Sequence, residues 1–301
     1  MAAFKVLVPL DGSRTAEHSL VYLDALKRLG DCTVSLLCVA DDTEEYHGEA
    51  SGEAFEREAN LLGTYLREVA RDVTNHVHVT VEAKVVRGKP AVRMAEEIET
   101  FKPDVLVIST HGRSGVSRWR FGSVADKVIR SATCTTLIVG PKAHEDEVWI
   151  DAGAELPFKS ILLPLDGSDL AGQAVPVAVR YAECFGSTLH IVRVVTTPMY
   201  TEGVVGEGAY MPDLLTSLQD AAKQDVGNVA ATVGARVKAV AEVLVGDPAT
   251  QLETYVKKHG IDLVVMTTHG RGGFSRTALG SVTDRLLAEG SAPVLVVRPG
   301  Q

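Results

Sequence analysis

The sequence predicts an α/β protein built from two repeated open doubly wound parallel sheets, Rossmann-like, each with strand order 3-2-1-4-5. Three observations carry that expectation. The sequence is written twice. Within each copy, short apolar runs alternate with helical patterns, the order that gives a parallel sheet covered on both faces. The third run of each copy alternates apolar with polar residues where the others are nearly continuous, which places that strand at an edge.

The repeat is anchored at two places. Lys5-Val-Leu-Val-Pro-Leu-Asp-Gly-Ser13 returns as Ser160-Ile-Leu-Leu-Pro-Leu-Asp-Gly-Ser168, an offset of 155 residues, and Pro103–Arg113 returns as Ile261–Arg271, an offset of 158. Three residues are gained between the anchors, as a loop insertion allows. The expected domains are therefore 1–141 and 158–301, with the Pro-, Gly- and acid-containing stretch 142–157 as linker. Trp149 and Ile150 in that stretch are apolar enough to dock onto a domain.

In the first copy the expected strands are Val6–Val8, Val34–Val39, Val77–Val85, Val105–Ile108 and Leu137–Val139. Between the second and third, Phe55, Ala59, Leu62, Leu66, Val69 and Val73 recur at steps of four and three, an amphipathic helix. In the third run Val77, Val79, Val81, Ala83 and Val85 alternate with His76, His78, Thr80, Glu82 and Lys84, so one face is read as open to solvent. His76 and His78 then share a strand face at i, i+2. No third ligand accompanies them and the second copy has no histidines there, so they read as a solvated edge rather than a metal site.

Composition narrows the function classes. The chain has 301 residues, is 46% hydrophobic and 23% charged, and carries a formal charge of −9. That balance excludes a disordered chain and argues against a nucleic-acid binder, which needs a basic face. The charge is shared, −5 on residues 1–150 and −4 on 151–301. Cys32, Cys38, Cys134 and Cys184 fall at no zinc or redox spacing and read as buried apolar residues. Neither a leader segment nor a membrane-length apolar run is evident, so a cytoplasmic, reducing location with no membrane insertion is expected.

In open α/β sheets ligands bind beyond the carboxyl ends of the strands, where the strand order reverses. Strand one ends at Pro9-Leu-Asp-Gly-Ser13 and strand four at Ser109-Thr-His-Gly112, so these loops face one crevice. Gly112 and Gly122 allow close approach of backbone N–H groups to an anion. Ser123 is read as the cap of a helix whose free N–H groups favour phosphate, with Arg113, Arg118 and Arg120 adding positive charge. The second copy offers Gly270, Gly280, Ser281, Arg271 and Arg276. His111 and His269 read as loop-orienting residues, and Trp119, replaced by Thr277 in the second copy, as packing. P-loop, GxGxxG and GxSxG motifs are absent, and Asp11 has no acid/base partner in the sequence pattern, so high turnover is disfavoured.

At these residues the chain resembles the universal stress protein family, and specifically its tandem two-domain members. The family's nucleotide-binding members show Gly-x2-Gly-x9-Gly-Ser/Thr after strand four. This chain has Ser109-x2-Gly112-x9-Gly122-Ser123 and Thr267-x2-Gly270-x9-Gly280-Ser281, departing only at the first glycine. The resemblance implies an adenine nucleotide, ATP with AMP or ADP as alternatives, accompanied by magnesium. Carried over by position, adenosine lies beside Pro9, Asp11 and Val39, with Ser109 at the first motif position and phosphates on Gly112, Gly122, Ser123 and Val124. The matching residues are Pro164, Asp166, Val194, Thr267, Gly270, Gly280, Ser281 and Val282. The resemblance also implies that strand five, Thr136–Gly140 and Val294–Arg298, pairs with its twin to make an intramolecular pseudo-dimer.

The expected function is that of a nucleotide-occupancy sensor in a stress response. Two alternatives stay open: a slow ATPase or autophosphorylating enzyme, and a nucleotide-free dimerisation and partner-docking module. The loops after strand two, Asp41–Gly52 and Thr196–Met211, differ between copies and are candidates to close over the sites differently.

Overall fold

The computed structural model describes residues 3–41, 50–110, 122–140, 158–196, 211–267, 280–289 and 292–298. The chain divides into two units, with the main boundary between Pro157 and Phe158. The first begins with β1 (Phe4–Leu10), then α1 (Arg14–Glu17), α2 (Leu23–Leu26) and 3-10 turns at His18–Tyr22 and Lys27–Leu29. It continues through β2 (Cys32–Ala40), α3 (Ala50–Val77), β3 (Thr80–Arg87), α4 (Pro90–Phe101), β4 (Val105–Ser109), α5 (Ser123–Ser131) and β5 (Thr135–Val139). The second unit runs β6 (Ser160–Leu165), α6 (Asp169–Gly172), α7 (Val175–Phe185), β7 (Thr188–Val195) and α8 (Met211–Val233). It closes with β8 (Lys238–Val245), α9 (Pro248–His259), β9 (Leu263–Thr267), α10 (Ser281–Glu289) and β10 (Val294–Val297).

Strand order is β3-β2-β1-β4-β5 in the first unit and β8-β7-β6-β9-β10 in the second, as the sequence predicts. The pairings within each unit are parallel. Right-handed crossovers then put α3 on one face and α4 with α5 on the other, because the chain moves outward from β1 to β3 and back from β3 to β5. Two-sided cover explains the continuous apolar runs: Val6, Leu7 and Val8 are fully buried, as are Ile161, Leu162 and Leu163. The order reverses between β1 and β4, and one device fixes that junction in both units. Asp104 accepts from Lys5 N at 2.8 Å through its carboxylate and returns its own N–H to Lys5 O at 2.9 Å. Asp262 does the same with Ser160, at 2.9 Å and 2.9 Å.

The α3 stripe is the expected one, with Leu62, Leu66, Val69, Val73 and Val77 buried. Its length corrects the third-strand expectation. α3 continues to Val77, where His76 Nδ1 sits 2.8 Å from Asp72 O, and His78 turns the chain at φ 60°. β3 therefore starts at Thr80, so His76 and His78 do not share a strand face. The polar face of β3 is not simply solvated either. Lys84 Nζ meets the buried Glu97 of α4 at 2.5 Å, so alternation at this edge records a polar pair beneath a helix as well as exposure.

Cys32, Cys38 and Cys134 are buried outside any disulfide, while Cys184 is only half-buried. Among the described residues no helix is long and apolar enough to cross a membrane, and no group of three His, Cys, Asp or Glu side chains is placed to hold a metal.

Candidate functional site

The pairings Val6↔Val105 and Leu7↔Leu106 set the carboxyl ends of β1 and β4 side by side, and Ile161↔Leu263 with Leu162↔Val264 does so for β6 and β9. Pro9 lies opposite Leu37 on β2, and Pro164 opposite Val192 on β7. Val39 pairs with Val86, Val194 with Leu244, Ser109 with Val139 and Thr267 with Val297, all at the same end of their sheets. Ser109 and Thr267 are buried. Gly112, Gly270, His111, His269, Trp119 and the five loop arginines lie outside the described residues, as do the linker and most of both loops after strand two.

The Asp-Gly-Ser turn has the same construction in both units. Asp11 Oδ1 accepts from Ser13 N at 3.0 Å and from Ser13 Oγ at 2.6 Å, and Ser13 Oγ accepts from Ala16 N at 3.1 Å. Asp166, Ser168 and Ala171 repeat this at 2.9, 2.7 and 3.1 Å. The N-caps of α1 and α6 are thus the serines, and each aspartate braces its serine. Gly12 and Gly167 sit at φ 84° and 82°, which a side chain would strain.

Thr110, directly after β4, is held at both of its backbone polar groups. Its N–H donates to Val139 O at 3.0 Å, and its carbonyl accepts from Gly122 N at 2.8 Å. That bond fixes the amino end of α5 beside the carboxyl end of β4. Here the cap assignment needs correction: Gly122 is the N-cap, with no side-chain cap bond, and Ser123 is the first helical residue. Asp126 N closes the first turn onto Gly122 O at 2.9 Å, as Asp284 N does onto Gly280 O at 2.9 Å. The N–H groups of Ser123, Val124 and Ala125 are left at the open end of the helix, where geometry gives them no intrahelical acceptor. Ser123 and Ser281 are exposed, and Val124 and Val282 half-buried.

Gly122 itself adopts φ −54° and ψ 144°, open to any residue, and an added Cβ would meet only Thr110 O at 3.6 Å among the described residues. Neither backbone strain nor that contact requires glycine here.

Below the two turns the units differ, in residues the sequence reading missed. Cys38 is the register partner of Leu10, and Arg193 that of Leu165. In the first unit Tyr65 of α3 lies near Cys38, Glu17 and Asp11; burial first, then the Glu17 carboxylate, raise its hydroxyl well above the usual phenol range. In the second unit Arg193 pairs with Asp225 of α8. Its guanidinium fills the space over Gly167, where a Cβ would fall 2.8 Å from Arg193 Cζ. Setting strand two of one copy against the other would have exposed the exchange of Cys38 for Arg193.

A model of the universal stress protein family matches residues 3–140 and 157–298. The chain belongs to the universal stress protein family. A family member from Methanocaldococcus jannaschii is 34% identical over 143 residues, which is 47% of this chain and 82% of that protein. One from Mycobacterium tuberculosis is 28% identical over 224 residues, 73% of this chain and 70% of that protein. A universal stress protein structure from Archaeoglobus fulgidus covers 98% of this chain and 96% of its own, with TM-score 0.72 at 18% identity, a likeness of fold. Two matches of the family model to one chain make this a tandem member.

Proposed function

We propose that this universal stress protein binds an adenine nucleotide, ATP before ADP or AMP, in one or both crevices, and that occupancy is read out by a partner. Gly122 carries the reading. A glycine in an ordinary conformation, with room for a methyl group among the described residues and no side-chain cap bond, at the amino end of a nine-residue helix, suits a phosphate that must approach the backbone closely. The recurrence of Gly280-Ser281 at the start of α10 supports a second such site.

The test is heat release of nucleotide from freshly purified protein, identified and counted by ion-pair chromatography. Two adenine nucleotides per chain support both sites, and one supports a single functional crevice. Gly122→Asp separates binding from folding, because aspartate is a favourable N-cap while its charge opposes phosphate. Stripped of nucleotide, the variant should unfold at or above the temperature of the stripped parent, and as purified it should lack the first-site nucleotide; full retention of that nucleotide would overturn the assignment.

A nucleotide-free docking module is the second reading. It is favoured by one observation: Asp11 and Asp166 already accept hydrogen bonds from Ser13 and Ser168 within the turn itself. No released nucleotide and no thermal shift at millimolar ATP would decide for it.

A further inference from the structure

The polar face of edge strand β8 holds a cluster that the first unit lacks. His190 of β7 is buried and pairs in register with Val240, so it shares a sheet face with Lys238 and Glu242. Over that face lies the last turn of α9. His190 Nδ1 stands 3.0 Å from Tyr255 Oη, and the Tyr255 ring stacks on His259 with centroids 4.1 Å apart. The two imidazoles lie 5.7 Å apart, and His259 Nε2 is buried with no hydrogen-bond partner among the described residues. Burial first, then the Glu242 carboxylate, raise the Tyr255 hydroxyl above the usual phenol range. At the corresponding positions the first unit has Ser35, Lys84, Glu97 and Phe101, and the Lys84–Glu97 pair takes the place of the histidine cluster.

We infer that His190, packed against Tyr255 and His259, forms an acid-responsive latch holding α9 against β7 and β8, so that mild acidification loosens the second unit while the first stays closed. An ionised His190 ring has to be buried against Tyr255 and beside a second imidazole, which costs desolvation that the neutral ring does not incur. The groups facing the pair act in both directions. Glu242 favours protonation of His190, whereas Lys238, the neighbouring His259 and above all burial oppose it, and the balance holds its pKa below the ordinary histidine value. Lys257 and Lys258 add positive charge to the same last turn, with Lys257 engaged by Glu253 at 2.6 Å.

The sign follows from proton counting. The unfolded unit binds more protons at His190 than the folded one, so stability is complete above about pH 6.5, the free imidazole value, and declines as the pH falls below it. The consequence reaches α10, because Arg285 contacts Asp247, the N-cap of α9, at 3.5 Å and Glu253 on α9 at 3.9 Å. The end of the second unit that carries Gly280 and Ser281 is therefore tied to the latched helix.

Hydrogen exchange of the full chain, with protection corrected for the intrinsic pH dependence of exchange, tests this between pH 7.5 and 5.5. Protection across α9 and β8 should fall by up to about tenfold for each unit of pKa depression at His190. Protection across α4 and β3 should stay level. Replacing the pair by the first unit's residues, His190→Ser with His259→Phe, should abolish the difference. Imidazole titration by NMR on the unmodified chain gives an independent check that needs no variant. An ordinary titration of His190, or an equal loss of protection in α4 and α9, would overturn the inference.

Discussion

Lys102 ends α4 in the left-handed region at φ 52°, where α9 ends on Gly260 at φ 57°. A Cβ at that position is strained and glycine is not. Lys102→Gly should therefore stabilise the first unit by about 0.5–1 kcal/mol, reduced from the full strain by the greater freedom of glycine in the unfolded chain. The urea midpoint of that unit's transition measures it, and an unchanged or lower midpoint contradicts it. The same scale explains what was legible at the turns. Asp11-Gly12-Ser13 was readable as a turn because Asp, Gly and Ser have local preferences. That Ser13, rather than Asp11, caps the helix was not readable, since both residues favour caps and only backbone geometry chooses between them.

Among elements, β3 and β8 show how a shared fold accepts different chemistry on one face. Lys84 is half-exposed while Glu97 is buried, so removing the lysine strands a carboxylate under α4. Lys84→Met should cost about 1–2 kcal/mol, a range that allows for solvent around the lysine. The double variant with Glu97→Met should recover most of that loss, because an apolar pair requires no desolvated charge. Denaturant titration of the two single variants and the double closes the cycle; a double variant no better than Lys84→Met would rule out the account. The alternation in these strands gave the edge position correctly. It misplaced the start of β3 because Val77 and Val79 continue two periodicities at once, ending the α3 stripe and beginning the strand pattern, and alternation alone cannot separate them.

For the whole molecule, the family resemblance implies a pseudo-dimer through the two fifth strands. Small-angle scattering in solution tests that expectation: a single compact particle agrees with it, and two independently tumbling lobes do not. The sequence by itself determined the duplication, the parallel α/β class, the edge position of the third strand and the place where the strand order reverses. These are properties of periodicity and spacing, and burial on one or two faces writes them directly into residue type. Only the tertiary structure decided what lies beneath each loop. Tyr65 and Glu17 in one unit, and Arg193 with Asp225 in the other, come together from separate elements; so do His190, Tyr255 and His259. No local pattern marks such groups, because the partner that gives each its protonation state and charge environment is supplied by folding.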